Sequence, residues 1–193
     1  MKILLIGVGN LGIRYLEGLM MLKIKSTKIF IYDQNTSVIK NLNKKLNINK
    51  KNIFLFEKIN ELKNKNFDLC ILATTASTRH ILIKKIYNKF KIKIWLLEKL
   101  VSNKTQNLEK IYKILKNTKT YVNLPRCYSR IYRLLKKQNL KKMYIKIKGG
   151  KWNIGSNSIH HLYLLEWLTS DKINKVKVLK KQFYVTKRKN LFD

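Results

Sequence analysis

Met1-Lys2-Ile3-Leu4-Leu5-Ile6-Gly7-Val8-Gly9-Asn10-Leu11-Gly12 decides the fold. Its first half is a short apolar run, the composition of a strand buried on both faces. Its second half is G-x-G-x-x-G, and a helical pattern starts at Asn10. Strand, glycine turn and helix in that order are what a dinucleotide pocket needs. Gly7 permits the tight turn, Gly9 lets a pyrophosphate approach the backbone, and Gly12 lets the helix lie close to the strand. The N–H groups at the helix start, around Asn10 and Leu11, would then face the phosphates, with the helix dipole adding partial positive charge.

A second apolar run, Lys28-Ile29-Phe30-Ile31-Tyr32, ends in Asp33, twenty-one residues after Gly12. That is where a carboxylate should accept hydrogen bonds from the adenosine ribose diol. Asp33 repels a 2′-phosphate, and neutral Gln34, Asn35 and Thr36 follow it. Lys40 offsets that repulsion only if its helix points it inward. NAD is therefore favoured over NADP. The plain alternative is a strand–turn–helix with a surface aspartate.

Further along, Ile53–Phe56, Phe67–Ala73 and Ile92–Leu97 read as strands, and Asn10–Leu22, a Val38/Leu42/Leu46 stripe, the Ile81–Phe90 region and Thr105–Leu115 read as helices. This β-α alternation predicts a right-handed, doubly wound parallel sheet over residues 1–119, with its ligand crevice beyond the strand C-termini. Gly9, Asp33, Thr74 and Lys99 all fall there.

The pattern changes near Thr120, so residues 120–193 are expected to form a second, partial α/β domain with an open sheet. Tyr121–Leu124 reads as a short strand, and a helix carrying Ile131, Leu134 and Leu135 follows the single proline, Pro125. Lys142–Lys148 alternates Met143, Ile145 and Ile147 with Tyr144, Lys146 and Lys148, a half-exposed strand ended by Gly149-Gly150. A helix over Ser158–Thr169 and strands at Val176–Leu179 and Phe183–Thr186 complete the expectation.

At 193 residues with 45% hydrophobic content, the chain has material for one packed domain and part of another. Cys70 and Cys127 are too few for a disulfide framework or a zinc site, and Cys70 lies within an apolar strand. No metal centre is expected. No signal peptide precedes the first strand, and no apolar stretch is long enough to span a bilayer, so a cytoplasmic protein without membrane contact is expected. The net charge of +33, from 43 Lys+Arg against 10 Asp+Glu, invites a nucleic-acid reading. The lysines, however, are spread through every segment and mixed with Asn and Ile. Arginine-led base readout and an aromatic RNA-binding motif are absent, so no specific nucleic-acid partner is expected.

Several blocks together resemble the Gfo/Idh/MocA oxidoreductases, the family of glucose–fructose oxidoreductase and inositol dehydrogenase. They are I-L-L-I-G-V-G-N-L-G-I-R-Y-L at 3–16, D-L-C-I-L-A-T-T-A-S-T-R-H at 68–80, W-L-L-E-K-L at 95–100, Y-V-N-L-P-R-C-Y-S-R-I-Y at 121–132 and G-G-K-W-N-I-G-S-N-S-I-H-H-L-Y-L-L-E-W-L at 149–168. The resemblance implies a Rossmann domain followed by a substrate and oligomerisation domain, and hydride transfer between NAD(P) and a sugar, nucleotide-sugar or cyclitol hydroxyl or ketone. A homo-oligomer is also implied.

The same resemblance maps the family's E-K-P motif onto Glu98-Lys99-Leu100, with Glu98 on the cofactor side and Lys99 polarising the reacting hydroxyl. Thr74 and Ser77 fall on the nicotinamide-ribose side, and Arg79 stands where the family commonly has histidine. Aligning Trp167-Leu168 makes His160 the acid/base histidine, with His161 the alternative if the helix is rotated. Imidazole suits this role because it exchanges protons near neutral pH. Arg126 and Asn157 are implied substrate contacts. Ser156 and Tyr163 occupy places where many members carry Asp, which leaves a second reading open: a catalytically impaired nucleotide-binding protein of the same fold. Members usually continue through more strands than this chain has, so the resemblance implies a shortened member.

Overall fold

Alternation in the first strand sets the layers. In β1 (Lys2–Ile6), Ile3 and Leu5 point to one side and Leu4 and Ile6 to the other, and all four are at most 1% exposed. Burying each such side chain stabilises the fold by about 2 kcal/mol. The computed structural model describes residues 1–22, 26–45, 51–63, 65–139, 143–147 and 154–177.

The strands are β1, β2 (Lys28–Tyr32), β3 (Ile53–Phe56), β4 (Asn66–Leu72), β5 (Lys91–Leu97) and β6 (Lys119–Val122). All their pairings are parallel, in the order β3-β2-β1-β4-β5-β6. The order reverses between β1 and β4, the place where an open α/β sheet opens a crevice at its strand C-termini.

Helices cover both faces. Leu16 of α1 (Asn10–Met21) and Ile39 and Leu42 of α2 (Thr36–Lys45) join the cluster of Ile3, Leu5, Ile29 and Ile31. Ile83 and Ile86 of α3 (Arg79–Lys89) and Ile111 and Leu115 of α4 (Thr105–Leu115) join Leu4, Ile6, Cys70 and Trp95 on the other face. Aromatic rings extend this second cluster: Phe30 stacks on Phe54 at 5.0 Å, and Phe67 meets both Phe30 and Phe90 edge-on at 5.4 Å. Burial pushes the Cys70 thiol well above its ordinary range.

Two units divide at Asn123/Leu124. The first runs to Asn123 and not to residue 119, because Lys119–Val122 pairs in register with Ile94–Leu97. In the second unit a 3₁₀ turn (Pro125–Tyr128), α5 (Arg130–Lys137) and α6 (Ile154–Thr169) pack together. Lys136 reaches the end of α6, where its ammonium lies 5.6 Å from the Trp167 ring centre and donates to the Leu168 carbonyl at 3.4 Å. The open sheet expected here is not seen among the described residues: 143–147 and 176–177 take no strand. An alternating segment becomes a strand only with a partner to receive its backbone hydrogen bonds, and the described residues supply none. Lys142, Lys148 to Gly150, and the stretch from 178 to Asp193, which includes the expected Phe183–Thr186 strand, lie outside the described residues.

Among the described residues no helix is long and apolar enough to cross a membrane. Among those residues, too, no group of three His, Cys, Asp or Glu side chains converges as metal ligands would.

Candidate active site

The glycine turn is built by its neighbours. Gly7 has φ +87°, a left-handed conformation that side-chain-bearing residues rarely adopt, and its N–H donates to the Tyr32 carbonyl at 2.9 Å. Gly12 sits one helical turn on, so close to that bend that a Cβ would stand 1.9 Å from the Gly7 carbonyl oxygen. Gly9 is different: no atom lies within 4 Å of where its Cβ would be. It caps α1 in an extended conformation with no side-chain hydrogen bond, so the cap itself offers the first-turn N–H groups no acceptor. The space above Gly9 thus combines open room with the positive end of a helix.

Asp33 lies beside the same bend. Its Oδ2 accepts from the Val8 N–H and its Oδ1 from the Asn35 N–H, each at 2.8 Å. These two bonds fix the carboxylate at the turn, and each oxygen keeps a further acceptor position. Lys40 is exposed on α2. Thr74 follows β4 and packs its methyl against Gly7, while its buried hydroxyl has no hydrogen-bond partner. A buried polar atom without a partner is uncommon in a folded protein, and this one sits beside the glycine bend. Ser77 is exposed in the turn that leads to α3. The open cradle at Gly9, the fixed carboxylate and the unsatisfied Thr74 hydroxyl all fit a dinucleotide.

Beyond β5, Glu98 is 4% exposed and its carboxylate points into protein: Oε1 accepts from the Tyr15 hydroxyl and, at 2.6 Å, from Asn123 Nδ2. Asn123 also donates to the Tyr15 oxygen at 2.6 Å, closing a triangle. Burial pushes the Tyr15 phenol far above its ordinary value, and the hydrogen bond and charge of Glu98 push it the same way. Lys99 is half-buried directly after this anchored residue, and the Lys99–Leu100 peptide is cis. Arg79 is 1% exposed and donates to the carbonyls of Glu98, Leu100 and Thr74.

The first unit therefore brings together Gly7, Gly9, Asn10, Leu11, Gly12, Asp33, Thr74, Glu98 and Lys99 at one end of one sheet. In the second unit, Asn157 and His160 are half-buried and three residues apart on α6, a spacing that places them on one helix face. Arg126 lies in the 3₁₀ turn that packs against α6. Burial, and then the Arg126 charge, lower the His161 imidazole below its ordinary value. Tyr163 is exposed, and burial followed by the neighbouring Cys127, Tyr128 and Glu166 raises its phenol. The side chain of Ser156 lies outside the described residues.

Sequence reading missed Tyr15, Asn123 and Arg79 as parts of the site. Tyr15 falls on the apolar stripe of α1 and reads as core. The signal for Arg79 is its register, since it opens the helix after the β4 turn.

A parallel sheet with a glycine bend and a fixed carboxylate at its switch point defines a dinucleotide-binding domain of the Rossmann class. The family profile described as "Oxidoreductase family, NAD-binding Rossmann fold" matches residues 1–124, and the chain belongs to this Gfo/Idh/MocA family, with NAD as its cofactor. No curated protein matches the chain by sequence.

Solved structures show the same fold. A probable dehydrogenase from Thermotoga maritima superposes with a TM-score of 0.68 at 18% identity, covering 90% of this chain and 56% of that one. Myo-inositol 2-dehydrogenase from Lactobacillus plantarum gives a TM-score of 0.67 at 17% identity, covering 88% of this chain and 56% of that one. Myo-inositol dehydrogenase from Lactobacillus casei, solved with NAD(H) and myo-inositol, gives 0.65 at 15% identity, covering 89% and 55%. The chain thus spans little more than half the length of these relatives.

Proposed function

We propose that this chain is an NAD-dependent oxidoreductase that moves a hydride between the nicotinamide and a carbohydrate-like hydroxyl or ketone, in a sugar, nucleotide sugar or cyclitol. The observation that carries the reading is the open space over Gly9 beside a carboxylate tied to the same turn. When bound, the cofactor supplies the hydride acceptor or donor.

This chain's residues would do the rest. Gly7, Gly9 and Gly12 shape the bend, and the N–H groups around Asn10 and Leu11 hold the diphosphate. Asp33 takes the adenosine ribose hydroxyls, and Thr74 and Ser77 lie on the nicotinamide-ribose side. Glu98 Oε1 is bonded to Tyr15 and Asn123, so Glu98 holds the strand end on the cofactor side of the site. Lys99 would polarise the substrate oxygen with its ammonium, and His160 would take or return that oxygen's proton. Arg126 and Asn157 would hold the substrate's other oxygens. We assign the second unit, from Leu124 onward, to substrate binding and to assembly with a second copy.

NADH fluorescence titration tests the cofactor site: saturable binding that Gly9→Val removes is expected, and absence of binding in the unaltered chain refutes it. NAD reduction assayed over sugars and cyclitols, myo-inositol included, tests turnover. A second reading, binding without turnover, draws on Ser156 and Tyr163 standing where many relatives carry aspartate. Saturable NADH binding with no reduction on any substrate would favour it.

A further inference from the structure

We propose that Arg79 is a positioning residue that sets the direction of the Lys99 side chain by gripping the peptide carbonyls on both sides of it. The proposal rests on the role given to Lys99 above and names a residue through which that role is supported.

The geometry is specific to Lys99. Arg79 Nη1 donates to the carbonyl of Glu98 and, at 2.5 Å, to that of Leu100, the two residues that flank Lys99. Nη2 donates to the carbonyl of Thr74, at the start of the turn beside Gly7. One planar group therefore spans the C-terminal ends of β4 and β5. The peptide before Lys99 and the one after Leu100 are both held, so the short backbone segment that carries Lys99 is pinned at its two ends and has little room to rotate. That matters because a lysine stem is long and flexible, so a small rotation at the backbone moves the ammonium by a large distance.

The same segment is also held through the Glu98 carboxylate, by Tyr15 and Asn123. A planar arginine fork suits the three-carbonyl task. A guanidinium carries five N–H donors in one plane, whereas the histidine common at this place in the family has two ring nitrogens. A buried guanidinium is also costly, and burial lowers its pKa to about 10. A role confined to filling core volume would be met by an apolar side chain without that cost.

The test reads Lys99 directly. The full chain and its Arg79→Gln and Arg79→Lys variants are trace-labelled with acetic anhydride at neutral pH, and each lysine's rate is followed by mass spectrometry. Arg79→Gln is expected to change the Lys99 rate by about tenfold, the usual lower scale when a supporting partner of a site residue is removed. Lys93, paired with Asp68 near the other end of β5, and Lys136, in the second unit, should stay unchanged. Arg79→Lys, which keeps a cation but not the fork, should restore part of the effect, and it carries the test if Arg79→Gln does not fold.

Folded variants in which Lys99 labels at the unaltered rate overturn the proposal. So do variants in which every lysine changes together, since that marks general loosening. NADH titration of the unaltered chain is run separately. Failure there removes the cofactor reading and leaves the labelling result standing on its own.

Discussion

Two glycines three residues apart, Gly9 and Gly12, should fail in opposite ways. At Gly12 an added Cβ would stand 1.9 Å from the Gly7 carbonyl oxygen, about 1.5 Å short of the 3.4 Å at which ordinary contact begins. The obstacle is backbone, so relief requires moving α1 off the bend. Overpacking costs up to about 3 kcal/mol in cores that can adjust, and this one has no flexible side chain to displace. Gly12→Ala is thus expected to lose about 3 kcal/mol, a large share of the 5–15 kcal/mol typical of a domain, and roughly 6–12 °C in Tm.

At Gly9 nothing lies within 4 Å, so Gly9→Val meets no clash and loses only cap quality at the start of α1, about 1 kcal/mol or roughly 2–4 °C in Tm. Its side chain would instead occupy the diphosphate space. Losing two hydrogen bonds to a charged group, at about 1.5 kcal/mol each, weakens NADH binding by at least ~100-fold. Calorimetry and NADH fluorescence titration on both variants check the pair. A Gly9→Val variant that binds NADH normally, or a Gly12→Ala variant that melts normally, would refute the reasoning.

Asp33→Asn keeps the size of the side chain but removes its charge. NADH affinity should fall by about tenfold while NADPH gains relative to NADH, read by paired titrations. Tyr15→Phe removes the phenol that meets Glu98 and Asn123, and should cost about 1–2 kcal/mol in denaturant unfolding. Because the Tyr15 pKa is raised on folding, the stability it contributes is present below pH 10 and declines as the unfolded phenol ionises above it. Tyr15→Phe should therefore make the alkaline decline shallower.

The His161 imidazole is lowered from 6.5, so its contribution is present above that pH and is lost as pH falls through its folded value. Arg126→Ala should move the His161 NMR titration midpoint upward, and an unmoved midpoint would show that the Arg126 charge does not act on it.

The first four crossings of the sheet were legible because each depends on a local pattern. Apolar runs at Ile3–Ile6 and Leu69–Leu72 must be buried on both sides, and Gly7 and Asp33 occupy positions set by the glycine spacing. The alternating stretch at 143–147 misled for the converse reason: period-two patterning states which face would be apolar, but a strand exists only if another backbone pairs with it.

What the sequence determined by itself was the order of elements, the bend at Gly7 and the carboxylate at its side, since these follow from steric freedom and short-range periodicity. Tertiary structure alone decided that β6 completes the first sheet, that Glu98 turns inward to Tyr15 and Asn123, and that Arg79 reaches the carbonyls around Lys99. Those partners are 19 to 83 residues apart in the chain where Arg79, Tyr15 and Glu98 meet. Hydrogen bonds between such distant groups are fixed by how strands stack, and no local pattern encodes them.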